Sequence, residues 1–114
     1  MDFWKRLDSL IAANLLVIDR PKGSAHPRYP DIIYPLDYGY LKGTSGGDGN
    51  EIDVWQGTIV ENRLVAVICT VDSMKQDTEI KLLIGCTDDE INTVDRFYNE
   101  QEYMSGVIIL RKVS

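Results

Sequence analysis

An α+β domain, built as a small β-barrel or strongly curved sheet with helices packed outside, is the fold class this sequence predicts. Three observations lead there. Apolar residues recur at helical spacing in two places, near the N terminus and within residues 87–103; β-branched runs fill most of the remaining chain; and turn chemistry separates those runs. The resulting order is helix, several antiparallel strands, helix, strand. A length of 114 residues suits one ordinary domain, 1–114, with no room for a second independent core. With 44% hydrophobic and 26% charged residues, a packed core is expected.

Residues 2–13 carry Phe3, Trp4, Leu7, Leu10 and Ile11 on one helical face, and Leu15 to Ile18 follows as a strand. Pro21 ends regular structure. The segment "PKGSAHPRYP" is too rich in Pro, Gly and Ser for a helix or central strand, so it presents Arg28 and Tyr29 on a loop or strand edge. Ile32 to Tyr34 is read as a short strand. Ile52 to Gln56, Thr58 to Val60 and Leu64 to Val71 read as successive strands of a meander, with a hairpin turn at Glu61 to Arg63. Glu79 to Ile84 is a further strand. Thr87 and Glu90 stand at capping-box spacing before Ile91, Val94, Phe97 and Tyr98, which predicts a helix. Gly106 to Lys112 is read as the closing strand.

The formal charge of −6, from 12 basic and 18 acidic side chains, repels a phosphate backbone, and no basic patch in the sequence offsets it, so no nucleic-acid partner is expected. The longest uncharged run near the N terminus, Ser9 to Ile18, is too short to span a bilayer. A cytoplasmic protein without a membrane partner is the expectation. Cys69 and Cys86 lie in apolar runs without metal-ligand spacing and read as buried free thiols.

The chemistry concentrates in "GTSGGDGNEIDVW", Gly43 to Trp55, which crowds Asp48, Asn50, Glu51 and Asp53 ahead of a strand. Closely spaced carboxylates repel unless a cation stands between them, so the cluster reads either as a site for a hard divalent ion or as a solvated acidic turn. An EF-hand is excluded, because the sixth position from Asp48 is Asp53 where glycine is required and the twelfth is Ile59 where glutamate is required.

The longer segment "YPLDYGYLKGTSGGDGNEIDV", Tyr34 to Val54, resembles the signature region of the soluble, magnesium-dependent inorganic pyrophosphatases, Tyr-Pro-x-Asn-Tyr-Gly-(Phe/Tyr) followed by Asp-Gly-Asp-(Pro/Glu)-apolar-Asp-Val. Upstream, Asp19, Pro21, Arg28 and Tyr29 stand at the spacing of that family's acid, proline, phosphate-binding lysine and tyrosine; downstream, Glu79 and Lys81 resemble its Asp-x-Lys element. The resemblance runs from about Ile18 to Lys81, and more loosely to Tyr98. It implies a five-stranded OB-like barrel, Mg2+ with Mn2+ as a substitute, and hydrolysis of a small phosphate substrate, pyrophosphate, to two phosphates. It implies Asp48, Asp53 and Glu79 as metal ligands, with Asp72 and Asp77 as alternatives to Glu79. Arg28, Lys81, Tyr38, Asp19 and Tyr98 become candidate substrate-binding residues.

Three departures stand beside these matches. Asn50 replaces the middle acid of Asp-Gly-Asp and cannot accept the proton of an attacking water, so either metal polarisation suffices, another acid substitutes, or activity has faded. Asp37, where the family has asparagine, is one such substitute or else coincidence. The step from Tyr29 to Tyr34 has no room for the family's hairpin with its substrate-binding arginine, and the late Tyr-Lys pair is Tyr98-Asn99. Lys22, Lys42 and Arg96 read as surface residues or as compensating cations. His26, the one histidine, reads as an exposed loop residue, and Trp4 and Trp55 as core anchors. Three functions remain open: pyrophosphate hydrolysis, hydrolysis of another small phosphorylated compound, or a silent metal- or phosphate-binding relative. A homo-oligomer agrees with the resemblance, while an amphipathic first helix fits a monomer equally well.

Overall fold

The computed structural model describes residues 1–112. Its elements are helix α1 (Phe3–Ala13), strands β1 (Leu16–Arg20), β2 (Asp37–Leu41), β3 (Ile52–Gln56), β4 (Leu64–Asp72) and β5 (Asp77–Ile84), helix α2 (Asp88–Asn99) and strand β6 (Met104–Leu110). Asp2 caps α1 by accepting from the backbone N–H of Lys5 at 2.8 Å, and α2 starts on a complete capping box between Thr87 and Glu90.

The strands form one six-stranded sheet ordered β1-β2-β3-β5-β4-β6, with β1 and β6 at its two edges. The α+β class and the OB-like sheet agree with expectation; among the described residues the sheet holds six strands and is open, not five and closed. The predicted meander is also corrected. β3 does not pair with β4: Thr58 to Val60 forms no strand, and β5 inserts between them, parallel to β3 and antiparallel to β4. Ile32 to Tyr34 reduces to one isolated bridge, Ala25 to Ile33. Prolines 27 and 30 leave that loop too few donors for a ladder.

Alternation along the strands splits the buried residues between two faces. On one, Tyr38, Trp55, Ala66, Ile68 and Leu83 pack with Tyr34, Leu36 and Cys86 against Ile91, Val94 and Tyr98 of α2. On the other, Leu41, Val54, Leu64, Val67, Leu82 and Ile84 pack against Trp4, Leu7 and Ile11 of α1. Trp55 is fully buried and Trp4 half-buried, so both anchor core, as expected. Cys86 is buried and its thiol is pushed up to about 12, first by burial; Cys69 is only half-buried; both are free. Gly39 is no turn residue: a Cβ there would overlap the Val17 carbonyl oxygen, so glycine lets β1 cross close to β2 beside the bulge at Ile18/Arg20.

Candidate active site

The α2-facing side of the sheet changes from apolar to polar towards one end. Register puts Tyr38 opposite Trp55 and Arg20, Tyr40 opposite Asp53, Ile68 opposite Lys81, and Thr70 opposite Glu79, so these side chains share one face. Lys81 is the centre of the polar end. It is 5% exposed, and its ammonium donates to Tyr38 Oη at 2.8 Å and to Asp53 Oδ2 at 2.9 Å, while lying 2.6 Å from Glu79 Oε2. All three of its N–H donors are thereby engaged. Tyr38 Oη in turn donates to Asp53 Oδ2 at 2.6 Å. Burial alone would lower the Lys81 pKa; the surrounding oxygens of Tyr98, Tyr38, Asp53 and Glu79 raise it instead, and the lysine is charged. Burial raises the Tyr38 pKa, so its proton stays on the phenol.

Beyond Glu79 the chain of contacts reaches the acidic loop. Glu79 is raised by burial and by its hydrogen bond to Asp48, and that bond is the main reason Asp48 is lowered to about 2. Asn50 completes the loop: its backbone N–H donates to Asp48 Oδ1 at 3.0 Å and its amide to Oδ2 at 3.4 Å. Asp48, Glu51, Asp53 and Glu79 line a single cleft of about 20 Å³ with Gly46, Gly47, Ile52 and Ile80, large enough for one water-sized occupant. Hard carboxylate oxygens around so small a space suit a hard divalent cation in kind. Among the described residues, however, no three of His, Cys, Asp and Glu converge closely enough to hold an ion in this arrangement, because the Lys81 ammonium stands between Asp53 and Glu79.

The structure thus brings together Asp48, Asn50, Asp53, Glu79, Lys81 and Tyr38, and separates the other candidates from them. Asp37 lies at the opposite end of β2 from the acidic loop, where its Oδ1 accepts from the backbone N–H of Lys22 at 2.8 Å, so it is corrected from water-activating acid to turn anchor. Tyr98 is buried beneath the site, closed off from solvent, with its hydroxyl accepting from Trp55 Nε1 at 3.0 Å. Asp19 is exposed at the β1 bulge, and Arg28 is exposed on the loop with its side chain unpaired among the described residues. Asp72 caps the β4–β5 turn through the N–H groups of Met74 and Lys75, and Asp77 pairs with Lys75 at 3.5 Å, so of the three downstream acids Glu79 is the one that lines the cleft. His26 is half-buried and not exposed as expected: Nδ1 accepts from the N–H groups of Arg28 and Tyr29, so this nitrogen organises the loop and is no general base.

One residue escaped the sequence reading, and one was read in the acidic cluster without a role of its own. Glu51 lines the cleft and accepts from the Gly43 N–H at 3.1 Å. Arg20 lies across from Tyr38 and donates to the Tyr34 hydroxyl. Its position between an acid and a proline carried no spacing signal; only the β1–β2 register reveals its face.

The sheet and its two helices define an OB-like α+β domain. No family model matches the chain, but proteins and solved structures similar to it include inorganic pyrophosphatases. The inorganic pyrophosphatase of Geobacillus stearothermophilus is 28% identical over 60 residues, 46% of this chain and 36% of that protein, and the inorganic pyrophosphatase of Bacillus sp. (strain PS3) matches to the same extent. The matched segment is little more than a third of each relative's length. Among solved structures, the inorganic pyrophosphatase from Neisseria gonorrhoeae superposes with a TM-score of 0.63 at 18% identity, over 79% of this chain and 77% of that one. The inorganic pyrophosphatase from Coxiella burnetii gives 0.63 at 14% identity over 83% and 84%. The chain has the fold of these pyrophosphatases.

Proposed function

We propose that this chain hydrolyses pyrophosphate to two phosphates with Mg2+, for which Mn2+ can substitute. The observation that carries the reading is the side-by-side placement, on one sheet face of this fold, of a carboxylate-lined cleft and a buried, charged lysine. Asp48, Asp53 and Glu79 would hold the cation once the Lys81 ammonium no longer separates Asp53 from Glu79, and the ion would screen the anionic substrate and acidify an attacking water. Asp53 is held in place by Tyr38 and Lys81, a restraint that fixes a ligand before substrate arrives. Lys81 supplies positive charge at the site without a mobile counter-ion. Asn50 can orient a water beside Asp48 but cannot take its proton.

Phosphate release from pyrophosphate, measured with and without Mg2+, tests the proposal. Release should require the metal and should be lost in Asp53→Ala; an absence of Mg2+-dependent release from the wild type would remove the proposed activity. Asn50→Asp should raise kcat, with general-base assistance worth about a hundredfold to ten-thousandfold. Asp37→Asn should leave turnover unchanged, since Asp37 anchors the Lys22 turn at the far end of β2.

A further inference from the structure

Among the cations beside the site, Arg20 is distinguished by what it does not bind. Lys81 spends its three donors on the chain's own oxygens, but Arg20 makes one hydrogen bond, from Nη1 to Tyr34 Oη, and no ion pair among the described residues. Its guanidinium stacks over the Tyr34 ring at 5.4 Å and the Tyr38 ring at 5.9 Å. Two aromatic faces and a phenol oxygen therefore fix the plane of the fork while leaving its remaining N–H groups free. A half-buried guanidinium held flat with unspent donors is suited to an anion that accepts two parallel hydrogen bonds.

The neighbourhood agrees. His26 is held below its ordinary pKa by burial and then by the positive charges of Arg20, Arg28 and Lys75, so His26 feels net positive charge in a chain of net charge −6. The acidic cleft lies on the other side of Tyr38, whose ring meets Arg20 and whose hydroxyl meets Asp53 and Lys81. We propose that Arg20 is a substrate-binding residue that grips the phosphoryl group farther from the carboxylate cleft, with Tyr34 as its positioning residue and Arg28 as a flanking charge. Resting on the pyrophosphate reading above, this assigns to β1 the arginine clamp for which the shortened Tyr29 to Tyr34 loop has no room. It also selects for a diphosphate over a monophosphate, because a single phosphoryl group beside the carboxylates does not extend past Tyr38.

Calorimetric binding of methylenediphosphonate, which cannot be hydrolysed, in the presence of Mg2+ tests this separately from turnover. Arg20→Gln should weaken diphosphonate binding by about tenfold to a hundredfold, the loss expected for a charge-assisted bidentate contact. Arg20→Lys should recover only part of that, since it restores charge without the fork. Tyr34→Phe, which keeps both the ring and Arg20, should weaken binding less than Arg20→Gln while barely changing inorganic phosphate binding. Unchanged diphosphonate affinity in Arg20→Lys and Tyr34→Phe together, or a wild type that binds no diphosphonate, overturns the assignment. If Arg20→Gln unfolds, those two variants decide. A wild type that binds diphosphonate through Arg20 yet releases no phosphate from pyrophosphate would defeat the hydrolase reading and leave this one standing.

Discussion

The two faces of the sheet bury clusters of unequal size among the described residues, eleven residues under α2 and six under α1, and have opposite chemical futures. Under α1 the buried set is wholly aliphatic, Leu41, Val54, Leu64, Val67, Leu82 and Ile84, and nothing in it can address a solute. Under α2 the set holds Tyr34, Tyr38, Trp55 and Tyr98, each with an apolar body and one polar atom. Such residues let a dry core turn into a polar site without leaving a donor or acceptor unsatisfied: Trp55 gives its N–H to Tyr98, Tyr38 bridges Lys81 and Asp53, and among the described residues no buried side-chain nitrogen or oxygen lacks a partner. The comparison teaches that the site is a continuation of one core, so its geometry and the fold's stability are coupled on the α2 side and independent on the α1 side.

Substitutions can break that comparison. Lys81→Met should have the largest effect, because it leaves Asp53 and Glu79 facing each other in a poorly solvated place: about 3–5 kcal/mol of stability by denaturant unfolding, together with loss of turnover. A variant of normal stability would show that the polar end is not structurally coupled. On the opposite face, Leu82→Ala should cost a comparable or smaller ~2–5 kcal/mol but leave kcat of the folded fraction near wild type. A large kcat loss there would erase the distinction between faces. Thr87→Ala removes half of the α2 capping box and should lower stability by about 1 kcal/mol, read as a lower Tm.

The smallest effect concerns α1. Asp8 accepts from Arg111 at 2.9 and 2.8 Å, and this hydrogen bonding holds its pKa below the ordinary 3.8. A depressed folded-state pKa means that the contribution is complete above the unfolded value and fades as pH falls through the folded one. With the Asp8 side chain 44% exposed, the pair is worth about 0.2–1 kcal/mol. Asp8→Asn should therefore lower stability slightly at neutral pH and converge with wild type in acid; parallel curves would dismiss the pair.

Much of this arrangement was legible because local chemistry agreed with tertiary structure. Thr87 and Glu90 announce α2, the helical spacing of Trp4, Leu7 and Ile11 announces α1, and the Asp48 to Asp53 cluster with Glu79 and Lys81 announces the cleft. What failed was non-local. Nothing in β3 or β4 states that β5 will lie between them, since pairing order depends on strands far apart in sequence. Arg20 was overlooked because it owes its place to a register and not to a motif, and Glu51 was read only as one acid of the cluster because its contact with Gly43 depends on a turn. Asp37 and Tyr98 were over-read for the complementary reason: alignment position says nothing about which end of a strand, or which depth of a core, a side chain occupies.

The insertion of β5 between β3 and β4 has a kinetic consequence. Strands arriving in chain order cannot zip up one after another, because β4 must leave its sequential neighbour open until β5 is available. The β4–β5 hairpin closes locally, and β1 to β3 closes as its own antiparallel ribbon, so the two halves join last through the parallel seam Val54 to Leu82, Trp55 to Leu83 and Gln56 to Ile84. Asp53 sits on one half and Lys81 on the other. These two charges thus meet only when the long-range step is complete, and pulse-labelled refolding should show amides that pair β4 with β5 protected against exchange before those that pair β3 with β5.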